Sequence, residues 1–247
     1  PVASAKPREF SLMARPGLLS DIEDDVPIIP STGDPCFEGT SIFHEQFSTI
    51  EYLSLGVMMK AGFMKKILKE YCTTKRPLRI LDHGSGAGLL PAQLLLEDDL
   101  EIDSAYVLEP FNSFLHMLCD TIGHFGGKLS SRLYYSKSYS ENYEYTEQFD
   151  VISFIHMLLL VEKEHRSTVI ERAWNALRPG GLLVTLEIPK TDASRSLAYY
   201  DRMLQPSEID SLLKKYAEIL YFDQKVIKTI KPSLIDHQPV FRVLIKK

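Results

Sequence analysis

The stretch Leu78-Arg79-Ile80-Leu81-Asp82-His83-Gly84-Ser85-Gly86-Ala87-Gly88-Leu89-Leu90 constrains this chain more than any other. A short aliphatic run reads as a buried strand. It ends in an acid and then in three glycines at alternate positions, after which Leu89 opens a helical pattern. Glycine lets a backbone turn sharply and leaves no side chain between main-chain N–H groups and a ligand. A strand that runs through such a turn into a helix is a nucleotide-binding element of a doubly wound sheet. Which nucleotide it holds must be read elsewhere in the chain.

Composition narrows the partners. With 28 basic against 33 acidic side chains the net charge is −5, which speaks against a nucleic-acid surface. No continuous apolar run approaches membrane length, so no membrane partner is expected. Cys36, Cys72 and Cys119 are odd in number, widely spaced and free of any Cys-x-x-Cys pair. That pattern points to a reducing compartment, the cytoplasm. The sequence starts at Pro1 rather than Met, so a preceding targeting segment stays open, as does the choice between monomer and homodimer.

The chain divides near residue 75. Residues 1–40 are rich in proline, carry the acidic cluster Asp21, Glu23, Asp24 and Asp25, and read as an irregular extension. From Ser41 to Cys72 apolar residues recur at threes and fours, which predicts two helices with Gly56 and Gly62 as possible breaks. Residues 1–75 thus form an extension and a helical cap or lid. Residues 76–247 alternate strands and helices: strands at Arg79–Asp82, Ser104–Leu108, Ser131–Tyr135, Phe149–Phe154 and Leu182–Ile188, with helices near Leu89–Leu96, Ser113–Ile122 and Lys163–Leu177. Such alternation implies parallel crossovers and a sheet covered on both faces. Pro179-Gly180-Gly181 reads as the turn into the fifth strand. Ser207 can cap a helix running through Lys215, with Asp210 at its third position. Glu218–Ile227 and Val240–Ile245 then form an antiparallel pair at the sheet edge. The expected fold is α/β, a doubly wound, mostly parallel seven-stranded sheet with an antiparallel last pair.

The dinucleotide fingerprint Gly-x-Gly-x-x-Gly does not fit, because the third glycine comes one residue early, at Gly88. Asp82 sits just before the glycines, and Glu109 ends the second strand, where a carboxylate can accept two bonds from a ribose diol. With Arg178-Pro179-Gly180-Gly181 before the fifth strand, residues 78–190 resemble the class I S-adenosylmethionine-dependent methyltransferases. The resemblance implies S-adenosyl-L-methionine as cofactor. Asp82, Gly84, Gly86 and Gly88 would hold its amino-acid end, and Glu109, followed by Pro110, its ribose. Ser138 or Ser140, after the third strand, would reach the adenine. Leu108-Glu109-Pro110 and Phe149 to Val161 are also similar to histamine N-methyltransferase-like small-molecule enzymes. On that likeness Ile155 would lie against the adenine, His156 would face the substrate, and Phe114 would replace a polar cofactor contact.

Methyl transfer from a sulfonium is an in-line displacement in which orientation and water exclusion do most of the work. A base matters only where the acceptor must lose a proton early. His156, just beyond the fourth strand, is the candidate for that role, with pocket lining as the plainer alternative. No Asp/Asn-Pro-Pro-aromatic run follows the fourth strand, and no acidic metal ligands stand there. Base-methylating and metal-dependent catechol enzymes therefore lose weight. His116, Cys119, Asp120 and His124 fall at helical spacings but suit a packed face as well, and no metal is expected. The tyrosines around the third strand (Tyr134, Tyr135, Tyr139, Tyr143, Tyr145) suit core or rim packing. Walls for an acceptor could come from Phe43, His44, Phe47 and Tyr52, or from Lys190–Gln205 with Arg195, Tyr199, Tyr200 and Arg202. Methyl transfer to N or O of a small molecule is the expected activity. A protein or RNA methyltransferase, and a cofactor-binding scaffold without turnover, stay open.

Overall fold

The computed structural model describes residues 8–10, 16–18, 50–86, 88–110, 114, 118, 129, 131–190, 192, 200–222 and 240–247. The strands are β1 (Arg8–Phe10), β2 (Pro16–Leu18), β3 (Leu78–His83), β4 (Ile102–Leu108), β5 (Leu133–Ser136), β6 (Phe149–Ile155), β7 (Leu177–Glu187), β8 (Ile219–Tyr221) and β9 (Val240–Ile245). The helices are α1 (Ile50–Tyr71), α2 (Leu89–Leu96), α3 (Lys163–Ala176) and α4 (Pro206–Leu213). One sheet contains all the strands, in the order β2-β1-β5-β4-β3-β6-β7-β9-β8. The five strands β3 to β7 run parallel, and β9 pairs antiparallel with both β7 and β8. The expected seven-stranded sheet is thus present as β3 to β9.

It is also longer than expected. The extension read as irregular supplies β1, parallel to β5, and β2, antiparallel to β1. Three-residue strands among prolines leave no alternation to read, yet they cover backbone groups of β5 that an open edge would expose.

The parallel strands are apolar on both faces because helices cover both. On one face α1 and α2 share a core of Phe63, Met64, Ile67, Leu90, Leu94, Ile80 and Val107. On the other, α3 and α4 pack through Val169, Ile170, Ala173, Ile209 and Leu213 onto Leu81, Phe149 and Ile152. Lys65 fastens α1 to the end of α2 through Glu97 and Asp99, and with Lys69 it holds the Asp99 carboxyl down at about 2.

Two local expectations are corrected. Gly56 and Gly62 do not break the N-terminal helix, since α1 is continuous from Ile50 to Tyr71. A glycine in a helix costs about 1 kcal/mol, which burial of Ala61, Phe63, Met64, Ile67 and Leu68 outweighs. Residues 41–49 lie outside the described set. The cap of α4 is Gln205 in a reciprocal box with Glu208, not Ser207 with Asp210. Pro206, with its φ already suited to the first helical turn, starts the helix earlier. Asp210 instead accepts a hydrogen bond from Arg242 Nε at 2.6 Å.

The Pro179-Gly180-Gly181 turn is likewise not separate from its strand. β7 begins at Leu177, its register with β6 shifts between Phe149 and Val151, and Gly180 takes φ 81° inside it. Gly180 N–H donates to the Lys246 carbonyl at 2.7 Å. A Cβ on Gly181 would stand 2.7 Å from the Asp150 carbonyl oxygen, so this motif is a packing device at the amino edge of the sheet. Asp150 anchors the same edge. Its fully buried carboxylate accepts from Arg178 at 3.0 Å, from Arg76 at 3.2 Å and from the Arg79 N–H at 2.9 Å. Asp150→Ala orphans the partly buried Arg178 guanidinium and a backbone donor. Urea unfolding at neutral pH is expected to show a loss of about 3 kcal/mol, at the low end for such pairs because Arg76 is half exposed.

Candidate active site

From β3 the chain steps outward through β4 to β5, then returns to the other side of β3 for β6 and β7. Helix α2, after β3, packs on one face and α3, after β6, on the other. In open sheets of this kind, ligands bind outside the carboxyl ends of the strands where the strand order reverses, here between β3 and β6. Asp82, the glycines, Glu109, Ser138, Ser140, Ile155 and His156 all belong to that edge.

The glycine turn is held from three sides. Gly84 N–H donates to the Leu108 carbonyl at 2.8 Å, Gly86 N–H to Glu109 Oε2 at 3.0 Å, and Gly88 N–H to the Ser85 carbonyl at 3.0 Å. All three glycines are left-handed, with φ of 59°, 56° and 64°. Their surroundings differ. A Cβ on Gly88 would come within 2.3 Å of Leu118 Cδ1, and one on Gly84 within 2.6 Å of Met157 Cγ. On Gly86 it would meet, among the described residues, only the Phe114 ring, at 3.7 Å. Gly88 therefore serves helix packing, Gly84 the seating of Met157, and Gly86 the open side of the turn. Asp82 is buried at the base of the turn, where Ser153 Oγ donates to its Oδ1 at 2.6 Å. A buried acid and a glycine cradle beside a second buried acid, Glu109, fit a ligand with an ammonium group and a ribose diol.

His83, between Asp82 and Gly84, escaped the sequence reading. Its imidazole is fully buried, stacked on Phe154 at 4.5 Å, with Nδ1 2.8 Å from Ser140 Oγ and Nε2 2.7 Å from Tyr145 Oη. Burial pushes it down to about 3. Ser140 thus reaches inward to His83, while the Ser138 hydroxyl donates to the Tyr139 carbonyl at 3.0 Å. Tyr135 and Tyr143 are buried, and Tyr134 stacks on Tyr106 at 4.9 Å.

His156 has φ 55°, a left-handed conformation for a residue with a side chain. Such strain costs of order 1–3 kcal/mol and persists where neighbours enforce it. Here they do. Glu187, buried at the end of β7, accepts the N–H of Met157 at 3.1 Å and of Leu158 at 2.8 Å through one oxygen. Arg202 donates to the carbonyls of Leu159 and Leu160, and Arg166 to that of Val161. Sequence reading missed Glu187 and Arg166; the one signal was an acid closing the apolar run Leu182–Leu186. The His156 ring is buried, Ile155 and Pro110 are half-buried at the ends of their own strands, and Phe114 lies next to Gly86. Phe43, Phe47 and Tyr199 lie outside the described residues, as do His116, Cys119, Asp120 and His124. Among the described residues no group of three His, Cys, Asp or Glu side chains is placed to hold a metal, and no helix is long and apolar enough to cross a membrane.

No family model and no curated protein matches the sequence. Solved structures do match the fold. The plantazolicin methyltransferase BpumL in complex with SAH superposes with a TM-score of 0.58 at 16% identity, over 87% of this chain and 91% of that one. The N-methyltransferase NodS from Bradyrhizobium japonicum WM9 gives 0.55 at 13% identity, over 76% and 96%. A Haemonchus contortus phosphoethanolamine N-methyltransferase 2 gives 0.58 at 15% identity, over 83% of this chain and 59% of its own. Together with strand order β5-β4-β3-β6-β7-β9-β8 and its antiparallel close, these matches mean that the chain has the class I S-adenosylmethionine-dependent methyltransferase fold.

Proposed function

We propose that this chain is an S-adenosylmethionine-dependent methyltransferase acting on N or O of a small-molecule acceptor. The observation that carries the reading is the left-handed glycine turn, open at Gly86 and tied by its N–H to Glu109, at the point where the strand order reverses. When bound, S-adenosylmethionine would supply an electrophilic methyl group. The glycine turn, with no side chain at Gly84, Gly86 or Gly88 to fend off a ligand, and the Asp82 carboxylate would hold the amino-acid end, Glu109 the ribose hydroxyls, and Ile155 with Ser138 or Ser140 the adenine side. His156 would face the acceptor, orient it and, where it carries an acidic proton, accept that proton. Phe43, Phe47 and Tyr199 remain wall candidates from the cap and the segment before α4. A small acceptor agrees with the acidic net charge and with the phosphoethanolamine named for one structural neighbour.

Calorimetry with S-adenosylhomocysteine, followed by its production from S-adenosylmethionine over a metabolite extract, tests the reading. A folded sample that does not bind defeats it; binding without turnover leaves a scaffold, and turnover only on protein or RNA fractions replaces the acceptor class. For His156 the informative variant is asparagine, which tolerates the left-handed backbone while removing the imidazole. His156→Asn is expected to lower turnover by about 100-fold if the ring moves a proton, with S-adenosylhomocysteine affinity within about threefold. Unchanged turnover would reduce His156 to pocket wall.

A further inference from the structure

We infer that Glu187 is the positioning residue of the site: its carboxylate locks the loop carrying His156 and, through Met157, seats that loop on the glycine turn. The inference rests on the methyltransferase reading for what the two loops bind, and on geometry alone for the lock. Glu187 lies on β7, beside β6 rather than on the loop it holds. Its Oε1 accepts two consecutive N–H groups, those of Met157 and Leu158, directly after the left-handed His156. A left-handed residue aims successive N–H groups into one concavity, where a single oxygen at the right reach can accept both. The acceptor here is built into the fold. His156 N–H donates to the Leu186 carbonyl at 2.7 Å, so neighbouring residues of β7 fix both the ring-bearing residue and the two that follow.

Met157 carries the constraint to the glycine turn. Its Cγ occupies the space a side chain at Gly84 would need, and its Sδ lies 4.0 Å from Ser140 Oγ. One residue thus touches the donor-side turn and the loop after β5 while its N–H is held by Glu187. Arg166 and Arg202 fix the next three carbonyls, so freedom released at Glu187 is confined to His156, Met157 and Leu158. A disturbance there should reach both loops and little else.

The test compares two variants of the whole chain. Glu187→Gln retains a side-chain oxygen at the same reach; Glu187→Asp keeps the charge but falls one methylene short. Amide exchange at Met157 and Leu158 is expected to quicken about tenfold or more in Glu187→Asp and to stay near the unmodified rate in Glu187→Gln. Calorimetric affinity for S-adenosylhomocysteine should follow, about tenfold weaker for aspartate and within about threefold for glutamine. Exchange in the β3 and β4 strands should be unchanged in both, which a general loss of stability would not allow. If aspartate leaves exchange at both amides and affinity unaltered, or if glutamine loses them as aspartate does, the lock is refuted. If the unmodified chain fails to bind S-adenosylhomocysteine while the exchange contrast holds, the donor reading fails and the lock stands.

Discussion

Gly86→Val is expected to weaken S-adenosylhomocysteine binding by about 100-fold or more while the protein stays folded. Among the described residues only the Phe114 ring comes near a Cβ at this position, at 3.7 Å, an ordinary van der Waals distance. What the new side chain would fill is the open side of the turn, the space assigned to the donor. Valine in a left-handed conformation costs of order 1–2 kcal/mol, which in a chain this long moves the thermal midpoint by only a few degrees. The neighbouring glycines cannot serve this purpose. Valine at Gly84 would collide with Met157 and at Gly88 with Leu118, so lost binding there would report lost packing. Calorimetry on a sample whose thermal transition is intact decides the matter: undiminished affinity at Gly86→Val would move the donor site away from this turn.

His83 should make the fold sensitive to mild acid. Its imidazole is neutral in the folded chain, pushed down to about 3 by burial, whereas an unfolded histidine titrates near 6.5. Below pH 6.5 the unfolded state takes up a proton that the folded state refuses. The stability contributed by neutral His83 is therefore fully present above about pH 6.5 and is lost as the pH falls toward 3. The slope approaches 1.4 kcal/mol per pH unit, or about 2 kcal/mol between pH 6.5 and pH 4.5. Glutamine at His83 can bond Ser140 and Tyr145 without titrating. His83→Gln should be less stable than the unmodified chain at pH 7.5 and should lose less on acidification. Urea unfolding at a series of pH values checks this; parallel stability curves for the two proteins would exclude His83 as the source of the acid dependence.

The parts of the site that were legible in the sequence are local or spaced by the fold's own period. Asp82 to Gly88 lie within one turn, and Glu109 closes the next strand, so alternation of strand and helix was enough to bring them together. His83 was not legible because its partners stand 57 and 62 positions away, on a loop whose course no periodicity describes. Glu187 was hidden for the same reason, since the amides it holds lie 29 and 30 positions earlier and any amide looks alike in a sequence. Gln205 is a weak cap by side-chain propensity beside Ser207, and Pro206, by starting the helix, makes it the cap all the same. The two N-terminal strands owe their existence to the edge of β5, a tertiary fact.

The amino edge, with Asp150 between its arginines, and the carboxyl edge, with its left-handed residues, are separated by the length of a strand, on the order of 20 Å for the seven residues of β6. Perturbations that far apart, sharing no partner, combine additively. A site variant too unstable to assay could therefore be rescued by strengthening the arginine cluster, without altering the chemistry under study. The same separation lets the turn be redesigned for a different ligand against a background of fixed robustness.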